Sequence, residues 1–233
     1  MNVDDFKNGQ VLVIDKPLNW TSFQVVNKIR WAIRKKFKLK KIKVGHAGTL
    51  DPLATGVLII CTGKFTKKID EYQAEAKEYT GTITLGGTTP SFDLETEVDQ
   101  SYATDHITEK DILATAKSFE GLIQQKPPIY SAIKKDGVRL YELARKGEQT
   151  EIKSREVEIF SFEITDISLP VVGFRIACSK GTYIRSIAND FGVKLNSGGY
   201  LSSLRRTKSG SFSVENSNSI ETFLEQLDHE SND

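Results

Sequence analysis

The sequence predicts an α+β protein with a mixed, largely antiparallel central sheet flanked by helices. Three observations predict it. Strand and helix patterns are intermingled without the regular βαβ repetition of a parallel sheet. The stretch "KEYTGTITLG" alternates cleanly, with Tyr79, Gly81, Ile83 and Leu85 on one side and Thr80, Thr82 and Thr84 on the other. Two later segments, "REVEIFSFEIT" and "VVGFRIACS", alternate in the same way.

The elements follow in chain order. Val11 to Ile14 read as a short buried strand stopped by Pro17. Thr21, with Gln24 three residues on, forms a capping box, and Val25, Val26, Ile29, Ala32 and Ile33 make an apolar stripe at helical spacing. "GHAGTLDPLATG", Gly45 to Gly56, reads as a loop, and "VLIIC" after it as a buried strand. "GGTTPSFDLET" reads as a polar loop. Thr108 and Asp111 cap a second helix that runs to about Phe119. From about Gln124 to Lys153 the chain is basic and tyrosine-bearing and opens with Pro127-Pro128. It reads as a surface insertion with a short helix around Leu140 to Arg145. "TYIRSIANDFGVKL" is a helix ending toward Gly198-Gly199.

The 233 residues suffice for one large domain, or one domain with an insertion. The longest apolar run, Val57 to Cys61, is much too short to cross a bilayer, and Met1 is followed by acids rather than a basic leader. Cys61 and Cys178 form no CxxC pair, which fits a reducing cytoplasm. His46, His106 and His229 lack metal-ligand spacing, so no metal is expected.

A net charge of +1 conceals segregation. Lys28, Arg30, Arg34, Lys35, Lys36, Lys38, Lys40, Lys41 and Lys43 follow one another with no acid between them. Acids dominate from Asp93 to Glu120 and in the tail after Lys208. The basic run suits a polyanion and equally describes a solvated helix face.

The Gly45–Gly56 loop holds one carboxylate, Asp51, among glycines, with Pro52 stiffening the chain behind it. Such an acid is positioned rather than floppy, and both a turn aspartate and a reacting acid fit the pattern. A P-loop is excluded because Phe65 follows Gly63-Lys64 and Leu58 stands where its first glycine should be. No G-x-S-x-G elbow and no GxGxxG turn occurs. A two-carboxylate glycosidase leaves no fixed local signature and stays open. In "SKGTYIRSIANDFG", Tyr183 and Arg185 stand where a strand gives way to a helix. An arginine there can pair with a buried aspartate, or it can be a surface residue beside a core tyrosine.

These residues together resemble the TruB family of tRNA pseudouridine synthases. "GHAGTLDPLATGVL" is similar to the family's catalytic motif. "VLVIDKPLNWTS", "KEYTGTITLGGTTPSFD", "PPIYSAIKKDGVRLYELARKGE", "CSKGTYIRSIANDFG" and "LSSLRRTKSGSF" resemble further family motifs in the family's order. The resemblance covers about Val11 to Phe212 and implies the pseudouridine synthase fold as one catalytic domain over residues 1–233.

It implies isomerisation of uridine 55 in the T-loop of tRNA, with Asp51 as nucleophile. Tyr79 would stack on the target uracil, with proton removal a further role open to it. Arg185 would pair with Asp51, with Tyr183 in the same pocket and Leu204 lining it. His46 would occupy the space of the extruded nucleotide, and Lys16 with Pro17 would support the pocket wall. The insertion at about 124–153 would grip RNA, and Lys35, Lys36, Lys38, Lys40 and Lys41 would meet its phosphates.

The resemblance implies no cofactor, and the expectation is a cytoplasmic monomer. From Ser213 to Asp233 the stretch is acidic and polar, and the PUA-type domain that many members carry is not expected here. The competing reading is a non-catalytic RNA-binding or RNA-folding module on the same scaffold.

Overall fold

The computed structural model describes residues 2–131, 133–135, 137–140, 142 and 152–229. In chain order the elements are α1 (Val3–Asn8), β1 (Val11–Lys16), α2 (Ser22–Lys36), β2 (Val44–Ala47), β3 (Ala54–Thr62), α3 (Ile69–Ala74) and β4 (Lys77–Leu85). There follow β5 (Gly87–Thr88), β6 (Gln100–Ser101), α4 (Glu109–Lys117), β7 (Gly121–Gln125), β8 (Lys134–Lys135) and β9 (Val138–Arg139). The rest are β10 (Arg155–Ser168), β11 (Val171–Cys178), α5 (Ile184–Lys194), β12 (Gly199–Ser209), β13 (Phe212–Ser213) and α6 (Ile220–His229). The chain divides into two compact units, Met1–Tyr79 with Leu204–Asp233, and Thr80–Ser203. The boundaries fall inside β4 and β12.

In the first unit the strand order is β1-β3-β12-β4. β1 runs antiparallel to β3 from Val11↔Cys61 to Lys16↔Gly56, and β12 lies parallel to β3 from Leu204↔Ala54 to Arg206↔Gly56. The capping box forms as expected: Gln24 N donates to Thr21 Oγ1 at 3.1 Å, and Thr21 N to Gln24 Oε1 at 2.7 Å. The apolar stripe of α2 is buried against Phe6, Leu12, Ile14, Leu58 and Ile60.

The tail differs from its expected polar character. Ile220, Phe223 and Leu227, one helical turn apart, bury the inner face of α6 in that same core. Only the outer face of α6 carries the acids, which is why net charge alone hid the amphipathic helix. The loop around Asp51 is also shorter than expected. Val44–Ala47 pair with Thr62–Ile59, and Ala54 already belongs to β3, so the turn proper spans 48–53.

The second unit orders its strands β12-β4-β11-β10-β7. β10 is antiparallel to both neighbours, with register shifts against β11 between Ile159 and Ser161 and between Ile164 and Asp166. Phe119, Phe162, Phe174 and Phe191 pack ring to ring with centroids 5.6–6.3 Å apart, joining α4 and α5 to the sheet. Gly192 lets α5 approach β12: a Cβ there would lie 2.1 Å from the Gly198 carbonyl carbon.

The first residues of the expected insertion, Gln124 and Gln125, are sheet, because β7 pairs with β10. Within the polar "GGTTPSFDLET" loop, Thr89, Ser91 and Asp93 are buried, while Pro90, Leu94 and Glu95 are exposed. Most of the expected helix at Leu140 to Arg145, and the insertion from 143 to 151, lie outside the described residues.

Candidate active site

Asp51 stands half-buried on the turn between β2 and β3. Gly48 opens that turn at φ +97°, a left-handed value that glycine adopts without strain. Asp51 O accepts from Ala54 N at 3.0 Å, and Pro52 O accepts from Asn19 N at 2.9 Å. Ser22, the first residue of α2, both accepts from Leu50 N at 2.8 Å and donates to Leu50 O at 3.0 Å. The residue before the acid is thereby fastened to a helix end.

Two buried cations hold the same turn. Lys16 Nζ donates to Pro17 O at 2.9 Å, Trp20 O at 2.5 Å and Pro52 O at 3.4 Å. Arg206 donates through Nε to Val57 O at 2.7 Å and through Nη2 to Gly48 O at 3.1 Å. Burial pulls the Lys16 ammonium down to about 8; the Asp51 charge opposes that fall, while Arg206 adds to it. Asp15 is gripped from the other side by Arg205, with Nη2 to Oδ2 at 2.6 Å and Nη1 to Oδ1 at 3.2 Å.

His46, half-buried on β2, is held below the usual histidine range, first by burial and then by Arg206. Leu204 pairs with Ala54, and Tyr79 is buried on the inward side of β4. The first unit thus carries Lys16 on β1, His46 on β2, Asp51 on the turn between β2 and β3, and Leu204 on β12.

In the second unit Arg185, at the start of α5, is 3% exposed. Its Nη1 donates to Ser91 O at 3.1 Å, its Nη2 to Tyr130 O at 2.8 Å, and its Nε lies 3.5 Å from Asp93 Oδ2. Asp93 also accepts from Glu95 N at 3.0 Å. The buried polar loop is therefore the seat of Arg185. Tyr183 is fixed by its backbone: its N donates to Gln125 Oε1 at 2.8 Å, and its O accepts from Gln125 Nε2 at 3.0 Å. The Arg155 guanidinium lies 4.7 Å from the Tyr183 ring centroid.

Sequence reasoning did not single out Asp93, Gln125, Arg155 or Arg206. Arg206 was in plain view in "LRRT", yet nothing in a run of exposed-looking cations marks which one points inward.

Of the expected phosphate contacts, Lys35, Lys38, Lys40 and Lys41 are exposed. Lys35 Nζ sits 4.9 Å from the centroid of exposed Trp31. Lys36 is partly engaged, donating to Asp228 O at 2.8 Å. Among the described residues no three His, Cys, Asp or Glu converge as a metal-ligand set, and no helix is long and apolar enough to cross a membrane.

The profile of the TruB family pseudouridylate synthase (N terminal domain) matches residues 34–184. The chain is 61% identical to tRNA pseudouridine synthase B of Flavobacterium johnsoniae, over 97% of this chain and 100% of that protein. It is 55% identical to the protein of the same name from Phocaeicola vulgatus, over 97% and 96%. Among solved structures, a Cbf5-Nop10-Gar1 complex matches with a TM-score of 0.71 at 30% identity, covering 97% of this chain and 56% of that one. An H/ACA RNP bound to a substrate RNA containing 2'-deoxyuridine matches with a TM-score of 0.67 at 28% identity, covering 94% and 53%. The chain spans just over half the length of those two structures. Fold and sequence agree: the chain belongs to the TruB family of pseudouridylate synthases.

Proposed function

We propose that this chain isomerises uridine 55 in the T-loop of tRNA to pseudouridine, with Asp51 as the reacting acid. The coarser statement follows from the family: the chain is an enzyme that forms pseudouridine in tRNA. The observation that carries the finer reading is the turn itself. A single carboxylate is held by Ser22, Lys16 and Arg206 through the backbone on both sides of it. Fastening on both flanks suits an acid whose position matters to a reaction.

The chemistry breaks the N1–C1′ bond, turns the uracil, and forms a C5–C1′ bond. The C5 proton leaves and N1 gains one, so atoms balance without an oxidant, a hydrolytic water or a cofactor. An ionised Asp51 acts either by adding to the base or by assisting its departure at the ribose. The neighbouring Lys16 charge favours that ionised form. Bringing the base out of its stack costs a few kcal/mol, which stacking on Tyr79 and insertion of His46 in its place partly offset. Arg185 completes the catalytic set, and Tyr183 and Leu204 shape the uracil pocket. Lys35, Lys36, Lys38, Lys40 and Lys41, with the stretch at about 124–153, contact the RNA backbone. The enzyme acts as a cytoplasmic monomer with residues 1–233 as its catalytic domain.

The test is tritium release from a T-loop hairpin carrying 5-tritiated uridine. The reading expects release in step with pseudouridine formation and no free uracil. Free uracil would identify a glycosidic hydrolase instead, and tight binding without release would identify a binding module.

A further inference from the structure

Arg206 is one of the largest fully buried side chains of the protein, at 1% exposure. Removing a guanidinium from water is costly, and structures retain one where its hydrogen bonds are made and its position matters. The bonds here are specific. Gly48 enters the Asp51 turn and Val57 follows it, and one planar group reaches the carbonyl of each. A lysine carries the charge but not the fixed fork that spans two separate acceptors.

The backbone of Arg206 is locked as well. It pairs in register with Gly56, whose φ is +102°, and a Cβ on Gly56 would lie 2.2 Å from Arg206 O. The strand that carries Arg206 thus cannot slide against the strand that leaves the turn.

We propose that Arg206 is a positioning residue for the reaction: it sets the backbone from Gly48 through Val57 so that the Asp51 carboxylate is presented in its reacting place. The inference rests on the reading of Asp51 as the reacting acid. Lys16 braces the turn at Pro52 O, and Arg206 braces its two flanks. A shift of about 1 Å in a reacting group costs on the order of a hundredfold in rate, so loss of either brace is felt in the chemical step.

The experiment is single-turnover kinetics with enzyme in excess over a T-loop hairpin, with Kd measured separately. Parent, Arg206→Lys, Gly48→Ala and Asp51→Asn are compared. For Arg206→Lys the expected result is a rate constant lowered about tenfold or more, with Kd held within about threefold. At saturating enzyme a variant that merely folds less well still reacts at the parent's limiting rate constant while its folded fraction stays in excess, so the two effects separate.

Should Arg206→Lys fail to fold, Gly48→Ala decides. It keeps Arg206 and forces a side chain onto a left-handed φ in the same turn, so the rate constant is again expected to fall at constant Kd. A folded Arg206→Lys, or in its absence Gly48→Ala, reacting at the parent's rate overturns the proposal. Asp51→Asn tells the two levels apart. Activity in that variant removes the reading of the acid itself, whereas an inactive Asp51→Asn beside a parent-like Arg206→Lys removes only the role of Arg206.

Discussion

At the scale of residues, the site is an arrangement of charges taken out of water. Lys16 shows the balance most directly. Its ammonium is buried and titrates near 8, below the ordinary 10.5, because burial outweighs the attraction of Asp51. Between these values the unfolded chain holds the proton and the folded one has released it. This group's contribution to stability therefore rises as pH climbs from about 8 to 10.5.

Asp51→Asn removes an attraction that holds the Lys16 value up, so in that variant the rise begins at lower pH. Urea midpoints between pH 7 and 10, taken for the parent, for Asp51→Asn and for Lys16→Met as reference, check this. The same pH dependence in all three would contradict it. The stiff turn that carries Asp51 was legible in the sequence from its glycines and Pro52, while the role proposed for the acid came from the family resemblance. Of its supports, Lys16 was named from the family resemblance, whereas Arg206 and Ser22 were not, since they act through backbone carbonyls and amides that any sequence possesses.

At the scale of elements, local signals were reliable and distant ones were not. Both capping boxes, Thr21/Gln24 and Thr108/Asp111, form as read, because each is written within four residues. β7 escaped notice because its Gly-Leu-Ile-Gln-Gln run carries little strand signal and owes its state to pairing with β10. α6 escaped because acids on its outer face masked Ile220, Phe223 and Leu227. That helix completes the core under α2, so truncating its central anchor should be costly. Phe223, 1% exposed, is the residue to test. Phe223→Ala is expected to lose about 3–5 kcal/mol in equilibrium urea unfolding. A loss under about 1 kcal/mol, the range of an ordinary surface change, would show that α6 is not part of the folded core.

At the scale of the whole molecule, the α+β class and the largely antiparallel sheet follow from alternation and from the lack of βαβ repeats. The strand order does not. A parallel contact between β3 and β12 joins residues 150 apart in sequence, and no local pattern announces it. That contact sets Leu204 beside Ala54 and brings Arg206 under the Asp51 turn. The charge separation seen in the sequence survives folding in Lys35, Lys38, Lys40 and Lys41, which stay exposed.

On the proposed reading, the lone acid on the braced turn makes pseudouridine at one place in tRNA. The most direct measurement incubates unmodified tRNA transcripts with the parent and with Asp51→Asn and maps pseudouridine at single-nucleotide resolution. The expected result is modification at position 55 by the parent and none by the variant, which still binds the transcript. Pseudouridine formed by Asp51→Asn, or a parent that leaves uridine 55 unchanged, would contradict it.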